Sequence, residues 1–270
     1  MDDHREIDAG VAAVVSDRGY RHHRNEDAGD VVVDGDRVAV VVCDGVSSTA
    51  NPDQASAAAA VAAMALLREF VASPASKAAP DDAAATTALR QAVSAARRAV
   101  EDVPVDEPGG YPGRPSTTMV LALVGPGSVV TASVGDSRCY WLPDRGASLR
   151  LTVDDSWAEA AIAAGVPEPA AYAAPQAHVI TNWIGGDASD DDPTVTTLDL
   201  DAPGLLVVCS DGLWNYLPAT EDLVAAVADG DEPDAGVSRP LAVARHLVQV
   251  ALDAGGSDNV TVAVVSAGPP

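Results

Sequence analysis

Four aspartates stand where apolar runs stop. Val40-Val41-Val42-Cys43 leads into Asp44-Gly45, Ala132-Ser133-Val134 into Gly135-Asp136, and Leu206-Val207-Val208-Cys209-Ser210 into Asp211-Gly212. Asp258-Asn259 opens a fourth run, Val260 to Val264. Each dipeptide alone is ordinary turn chemistry. Four carboxylates at strand ends are different, because clustered carboxylates repel unless a cation or a proton neutralises them. Oxygen donors with no paired His or Cys nearby select Mg2+ or Mn2+ over zinc. Such a cluster suits two-metal hydrolysis, in which a bridging water is acidified and attacks in line. The competing signatures G-x-S-x-G, H-E-x-x-H, C-x-x-C and G-x-G-x-x-G do not occur in the chain.

Strand-end carboxylates need strands to hold them. Residues 11–15, 31–33, 37–43, 117–124, 128–134, 138–142, 148–152, 194–200, 204–209 and 259–265 are short runs rich in β-branched residues and are predicted as strands. Asp34-Gly35 and Gly125-Pro126-Gly127 predict hairpins between neighbouring runs. Many short strands and tight turns predict antiparallel sheets packed face to face. Between them lie helical patterns. Asn51 is placed to cap a helix beginning at Pro52, with Val61, Met64, Leu67 and Val71 along one face. Residues 81–101 repeat the pattern through Leu89, Val93, Ala96 and Val100. Thr220 and Ser238 are placed to cap helices at 221–229 and 239–253, and Ser156 with Glu159 matches a capping box. The expected architecture is a single α+β domain over 1–270, a sandwich of sheets covered by helices. Two stretches look irregular: a Pro/Gly-rich loop at 102–116, and residues 153–193, which include the acidic run ending Asp190-Asp191-Asp192.

Composition narrows the function. The net charge of −24 repels phosphates and argues against nucleic-acid and anionic-membrane partners. Lys77 is the single lysine beside fifteen arginines, which excludes Schiff-base chemistry and a Walker-type phosphate loop. Cys43, Cys139 and Cys209 each sit in an apolar run and read as small buried hydrophobes in a reducing compartment. No apolar segment of signal length opens the chain, and no unbroken run approaches the ~18–20 residues of a membrane span. A soluble, cytoplasmic protein is expected.

Read in order, the motifs resemble one family. Ser16-Asp17-Arg18-Gly19, Asn25-Glu26-Asp27 and Val42-Cys43-Asp44-Gly45-Val46 look like the start of the metal-dependent protein phosphatases of type 2C, the PPM family, in its bacterial form. Ser116-Thr117-Thr118, Val134-Gly135-Asp136-Ser137-Arg138, Leu151-Thr152-Val153-Asp154-Asp155-Ser156 and Ile180-Thr181 resemble later family segments. Cys209-Ser210-Asp211-Gly212-Leu213 and Ser257-Asp258-Asn259-Val260-Thr261 resemble the last two. The resemblance implies two sheets flanked by helices on both sides, and hydrolysis of phosphoserine and phosphothreonine in proteins by a metal-bridging water. It implies two or three Mn2+ or Mg2+ ions, with Asp44 bridging two of them and the Gly45 carbonyl on one. Asp211 and Asp258 would ligate the other, Glu26 and Asp27 would hold metal-bound waters, and Asp136 would bind a third ion. It also implies phosphoprotein partners, substrates of a bacterial serine/threonine kinase or the kinase itself. Residues 153–193 would contain a flap beside the site.

The chain departs from the family where phosphate is held. His22 occupies the position of the family's phosphate-binding arginine, with Arg21 and Arg24 nearby, so one of these three residues is expected to capture phosphate. Val46-Ser47-Ser48 replaces a glycine turn, Asp155 replaces a histidine, and Asn182 an arginine. A non-catalytic regulator that keeps the fold and binds a phosphoprotein is the competing expectation. Retention of every metal-bearing carboxylate favours the enzyme.

Overall fold

Side-chain alternation along the strands sets the layers. In the computed structural model, which describes residues 3–73, 82–105, 113–188, 192–231 and 235–269, Val38, Val40 and Val42 face a core between two sheets. Their neighbours Ala39, Val41 and Cys43 face a second core under helices. The same period of two divides Leu206 and Val208 from Leu205, Val207 and Cys209. Lys77, the middle of the 102–116 loop, and Asp190 with Asp191 lie outside the described residues.

One sheet runs β1 (His4–Asp8), β2 (Ala12–Asp17), β13 (Val260–Ala267), β12 (Gly204–Cys209), β8 (Arg138–Pro143) and β9 (Leu149–Arg150). The other runs β11 (Thr194–Asp199), β7 (Ser128–Val134), β6 (Met119–Gly125), β4 (Arg37–Asp44) and β3 (Asp27–Asp34). A short pair, β5 (Ser116–Thr117) with β10 (Ile184–Gly185), stands apart. Every ladder is antiparallel. Helices α1 (Pro52–Ala72) and α2 (Asp82–Glu101) cover the second sheet. Helices α5 (Asp211–Trp214), α6 (Thr220–Asp229) and α7 (Arg239–Asp253) cover the first. Two short helices, α3 (Trp157–Ala163) and α4 (Glu168–Tyr172), form a satellite cluster of their own. The expected α-β-β-α sandwich is present.

Several local expectations are corrected. The β3–β4 loop is Gly35-Asp36, because Asp34 already pairs with Arg37; Gly35 at φ 65 supplies the left-handed first position of a II′ turn. Asn51 occupies the N-cap position of α1 in a left-handed conformation, but its amide donates to the Pro104 carbonyl at 2.9 Å and caps nothing. Val61 is 71% exposed, and the buried face of α1 is completed by alanines instead. Thr220 is the first residue of α6 rather than its cap. Ser238 and Ser156 do accept from Leu241 N and Glu159 N. The run 117–124 breaks at Thr118, and 148–152 shortens to two residues. α1 is also apolar and long enough to cross a membrane, with a window of mean hydropathy 1.6. Here it is a core helix, with Ala55, Ala59, Ala63 and Leu67 fully buried.

Candidate active site

Antiparallel register brings the aspartates to one end of the sandwich. Asp27 opens β3 directly opposite Asp44, which closes β4. Gly135-Asp136 follows β7, Ser210-Asp211 follows β12, and Asp258 precedes β13. In the first sheet, Cys209 pairs with both Val262 and Arg138, so the end of β12 lies level with the starts of β13 and β8. The two sheets are tied at this end: Ser210 Oγ donates to Asp27 Oδ2 at 2.8 Å, and Asn25 Nδ2 to Ser16 Oγ at 2.8 Å.

Backbone contacts hold the turns rigid. The Asp44 carbonyl accepts from Thr118 N at 2.7 Å and Thr117 Oγ1 at 2.8 Å, while Asp44 N donates to Thr118 Oγ1. Thr118 Oγ1 also meets Ser137 Oγ at 2.7 Å, linking the Asp44 and Asp136 turns. The break at Thr118 therefore turns a strand residue into a bracket. Asp155 grips the Asp136 turn from outside, accepting from Gly135 N at 2.9 Å and donating its own N–H to the Gly135 carbonyl. At Gly45 a Cβ would meet the Pro52 carbonyl oxygen at 2.4 Å and that of Glu26 at 2.7 Å, so only glycine lets the chains approach.

The basic run divides three ways. His22 Nε2 lies 3.1 Å from Asp258 Oδ1, and its Nδ1 lies 3.9 Å from Glu26 Oε2. Arg24 is held between Glu26 Oε1 at 3.3 Å and Asp53 Oδ1 at 3.2 Å. Arg21 is exposed and has no hydrogen-bond or ion-pair partner among the described residues. Glu26 is buried and receives Ser47 Oγ on Oε2, so the serine that replaces a glycine in this turn orients it.

Burial and mutual repulsion raise the carboxylates together. Asp27, fully buried, is pushed up to about 7, first by desolvation and then by the charges of Asp258 and Asp211. Asp211 rises to about 6 from burial and the Asp258 charge. Asp44 rises well above the ordinary carboxylate range through burial, with Asp27, Asp211, Asp136 and Asp258 all adding to it. Asp136 rises through burial and the charges of Asp211 and Asp154. Asp258 rises less, because His22 offsets part of its burial. Among the described residues no three Asp, Glu, His or Cys side chains already surround a common point. Asp27 Oδ1 is buried without a hydrogen-bond partner. An orphaned carboxylate oxygen beside an all-oxygen donor set fits a hard divalent cation.

Sequence reasoning singled out the carboxylates but not their supports. Ser210 carries the Asp27 bond and also accepts from Thr261 N at 3.0 Å. Asn259 is a clasp: Oδ1 accepts from Glu26 N at 2.7 Å, while Nδ2 donates to the Arg18 and Arg24 carbonyls. Trp214 Nε1 donates to the Asp136 carbonyl at 2.9 Å. A buried polar residue next to Asp211, Asp258 and Asp136, namely Ser210, Asn259 and Ser137, is the available signal.

Comparisons with known proteins point to one family. A family profile for protein phosphatase 2C matches residues 18–232. Protein phosphatase PhpP of Streptococcus pneumoniae serotype 2 is 34% identical over 158 residues, 58% of this chain and 59% of that protein; the match thus spans less than two thirds of the relative. A bacterial serine phosphatase crystal structure superposes with a TM-score of 0.74 at 25% identity, covering 96% of this chain and 98% of the other. The catalytic domain of serine/threonine protein phosphatase PstP, solved in complex with two manganese ions, gives 0.67 at 27% identity, covering 95% and 97%.

Proposed function

The chain belongs to the protein phosphatase 2C family, and from that membership and the carboxylate cluster we propose that it hydrolyses phosphoserine and phosphothreonine in proteins with divalent cations, Mn2+ or Mg2+. The observation that carries the proposal is the buried Asp27, its Oδ1 unsatisfied, amid aspartates from both sheets. Asp44 with the Gly45 carbonyl, Asp211 and Asp258 would hold two cations, Glu26 and Asp27 would hold water beside them, and Asp136 would take a third. When bound, such cations supply Lewis-acid charge for the phosphoryl group and for an attacking water. The protein's own contribution is placement: Thr117, Thr118, Ser210 and Asn259 fix the carboxylates and their turns before substrate arrives. The substrates proposed are targets of a bacterial serine/threonine kinase. Turnover of p-nitrophenyl phosphate and of a phosphothreonine peptide, with and without Mn2+, tests the proposal. No turnover of either with Mn2+ bound would return the chain to the regulator reading.

Phosphate capture is assigned to Arg21. Carboxylates already hold Arg24 and His22, whereas Arg21 keeps its guanidinium for a dianion and presents it as a fork. Arg21→Ala is expected to raise KM for p-nitrophenyl phosphate about tenfold, the size of a charge-assisted hydrogen bond of roughly 1.5 kcal/mol. In the parent, KM should stay flat across neutral pH. A KM that weakens as pH rises from about 6 to 8, and stops doing so in His22→Ala, would move the role to the histidine.

Asp136 sits apart from Asp44 in the chain and is bracketed by Thr118, Ser137 and Trp214. Asp136→Ala is expected to leave two cations bound by calorimetry while slowing hydrolysis at least ~10-fold, as a lost electrostatic contribution does. Loss of all cation binding would place Asp136 in the primary pair.

A further inference from the structure

The proposed reaction leaves one charged cavity unused. It measures about 420 Å3 and opens beside α3, α4 and the start of α6, with Arg150, Glu159, Ile162, Glu168, Tyr172 and Glu221 in its lining. Its single guanidinium is already committed. Arg150 lies 2.5 Å from Glu159 Oε1 and 3.9 Å from Asp154 Oδ2. The Tyr172 hydroxyl donates to the same Glu159 oxygen at 2.8 Å. Glu168 and Glu221 are exposed and have no ion-pair partner among the described residues. Three carboxylates therefore oppose one guanidinium around a space walled by Ile162 and an aromatic ring. Apolar walls suit the methylene stem of a long basic side chain, and a tyrosine face with carboxylates suits its charged head.

The cavity is also close to the aspartate cluster. The Tyr172 ring is 6.5 Å from His178, and His178 is 5.7 Å from Trp214, the residue that holds the Asp136 carbonyl. Two ring-to-ring steps thus separate the carboxylate end of the sandwich from the cavity wall. An extended peptide advances ~3.3–3.6 Å per residue, so a side chain roughly three to five positions from the phosphorylated residue reaches this distance. We propose that the cavity is a subsite for an arginine or lysine side chain of the phosphoprotein substrate, engaged by Glu168, Glu221 and the Tyr172 face. The inference rests on the phosphatase reading and adds to it a preference for basic sequence near the phosphosite. A chain of net charge −24 strengthens the steering of such substrates.

The test is a panel of phosphothreonine peptides carrying one arginine at successive positions on either side of the phosphate, each paired with a glutamine control. The expected result is a kcat/KM about tenfold higher for the best arginine peptide than for its control, expressed in KM and shrinking as salt is raised. In Glu168→Gln/Glu221→Gln, two exposed changes that leave the core intact, the arginine-to-glutamine ratio should fall to near one. No preferred arginine position, or a preference that survives the double substitution, overturns the subsite. Free arginine amide at the peptide's concentration should not erase the preference, because only a tethered side chain has a high local concentration. Erasure would assign the cavity to a free small cation instead. Hydrolysis of p-nitrophenyl phosphate by the parent tests the phosphatase reading separately. Fluorescence anisotropy of the same labelled peptides decides the subsite even if turnover is absent.

Discussion

Asp44→Asn is expected to lower kcat for p-nitrophenyl phosphate by at least ~100-fold while the protein remains folded, a loss typical of one removed electrostatic contact at a reacting centre. The prediction separates charge from shape. Asp44 is placed by its backbone, through Thr117 and Thr118, and these bonds survive an amide of the same size. What disappears is one negative charge facing Asp27, Asp211, Asp136 and Asp258. Without cations burial and its acidic neighbours favour the neutral acid at Asp44, so the substituted protein, with a neutral amide there, should melt no lower than its parent. Asp211→Asn and Asp258→Asn should behave the same way. Near-normal turnover in Asp44→Asn would remove this residue from the cation set, and collapse of the fold would give it a structural role instead.

Removing divalent cations should abolish turnover and reverse the usual pH dependence of stability. Asp27 in the folded protein titrates at about 7, against 3.8 for an ordinary aspartate, and Asp211 at about 6. A raised carboxyl pKa means that the folded state keeps its proton while the unfolded chain has lost it. The stability this represents is complete below about pH 4 and is lost as pH rises through about 7. For the fully buried Asp27 alone it is on the order of 2–4 kcal/mol. In EDTA the melting temperature should accordingly fall between about pH 5 and pH 8, and added Mn2+ should raise it more at the higher pH. General self-repulsion in an acidic chain acts in the same direction, so Asp27→Asn is the control. That substitution should flatten the slope, and an unchanged slope would show that Asp27 does not titrate in this range. Full turnover in EDTA, or dependence on zinc alone, would end the reading of an oxygen-ligated divalent centre.

Much of this architecture follows from local pattern. Unbroken apolar runs rich in β-branched residues within 37–43 and 204–209 are enough to place those strands, because each must face an inter-sheet core on one side and helices on the other and so is apolar throughout. Asp-Gly and Gly-Asp dipeptides after apolar runs mark Asp44, Asp136 and Asp211, because turn residues end a strand. β1 was missed because His4–Asp8 is an exposed edge strand with almost no apolar content. β10 was missed because two residues carry no period. Thr220 resembled a cap, and only the position of Ala219 in the chain's path shows that the helix starts one residue later than a capping threonine requires.

Sequence by itself therefore determined the sandwich, the family resemblance and the identity of the carboxylates, since all three rest on residue type and spacing along one chain. Tertiary structure alone decided which of the neighbouring basic side chains carboxylates already hold. His22, Arg21 and Arg24 are nearly equivalent in sequence, yet Asp258 and Asp53, remote along the chain, hold two of them and leave the third. It also decided that Ser47 orients Glu26, that Asn259 clasps the turn before β3, and that a carboxylate-lined cavity lies near Trp214. Charge and hydrogen-bond partners are chosen by distance in space, and distances between residues more than two hundred positions apart exist only once the sheets have closed.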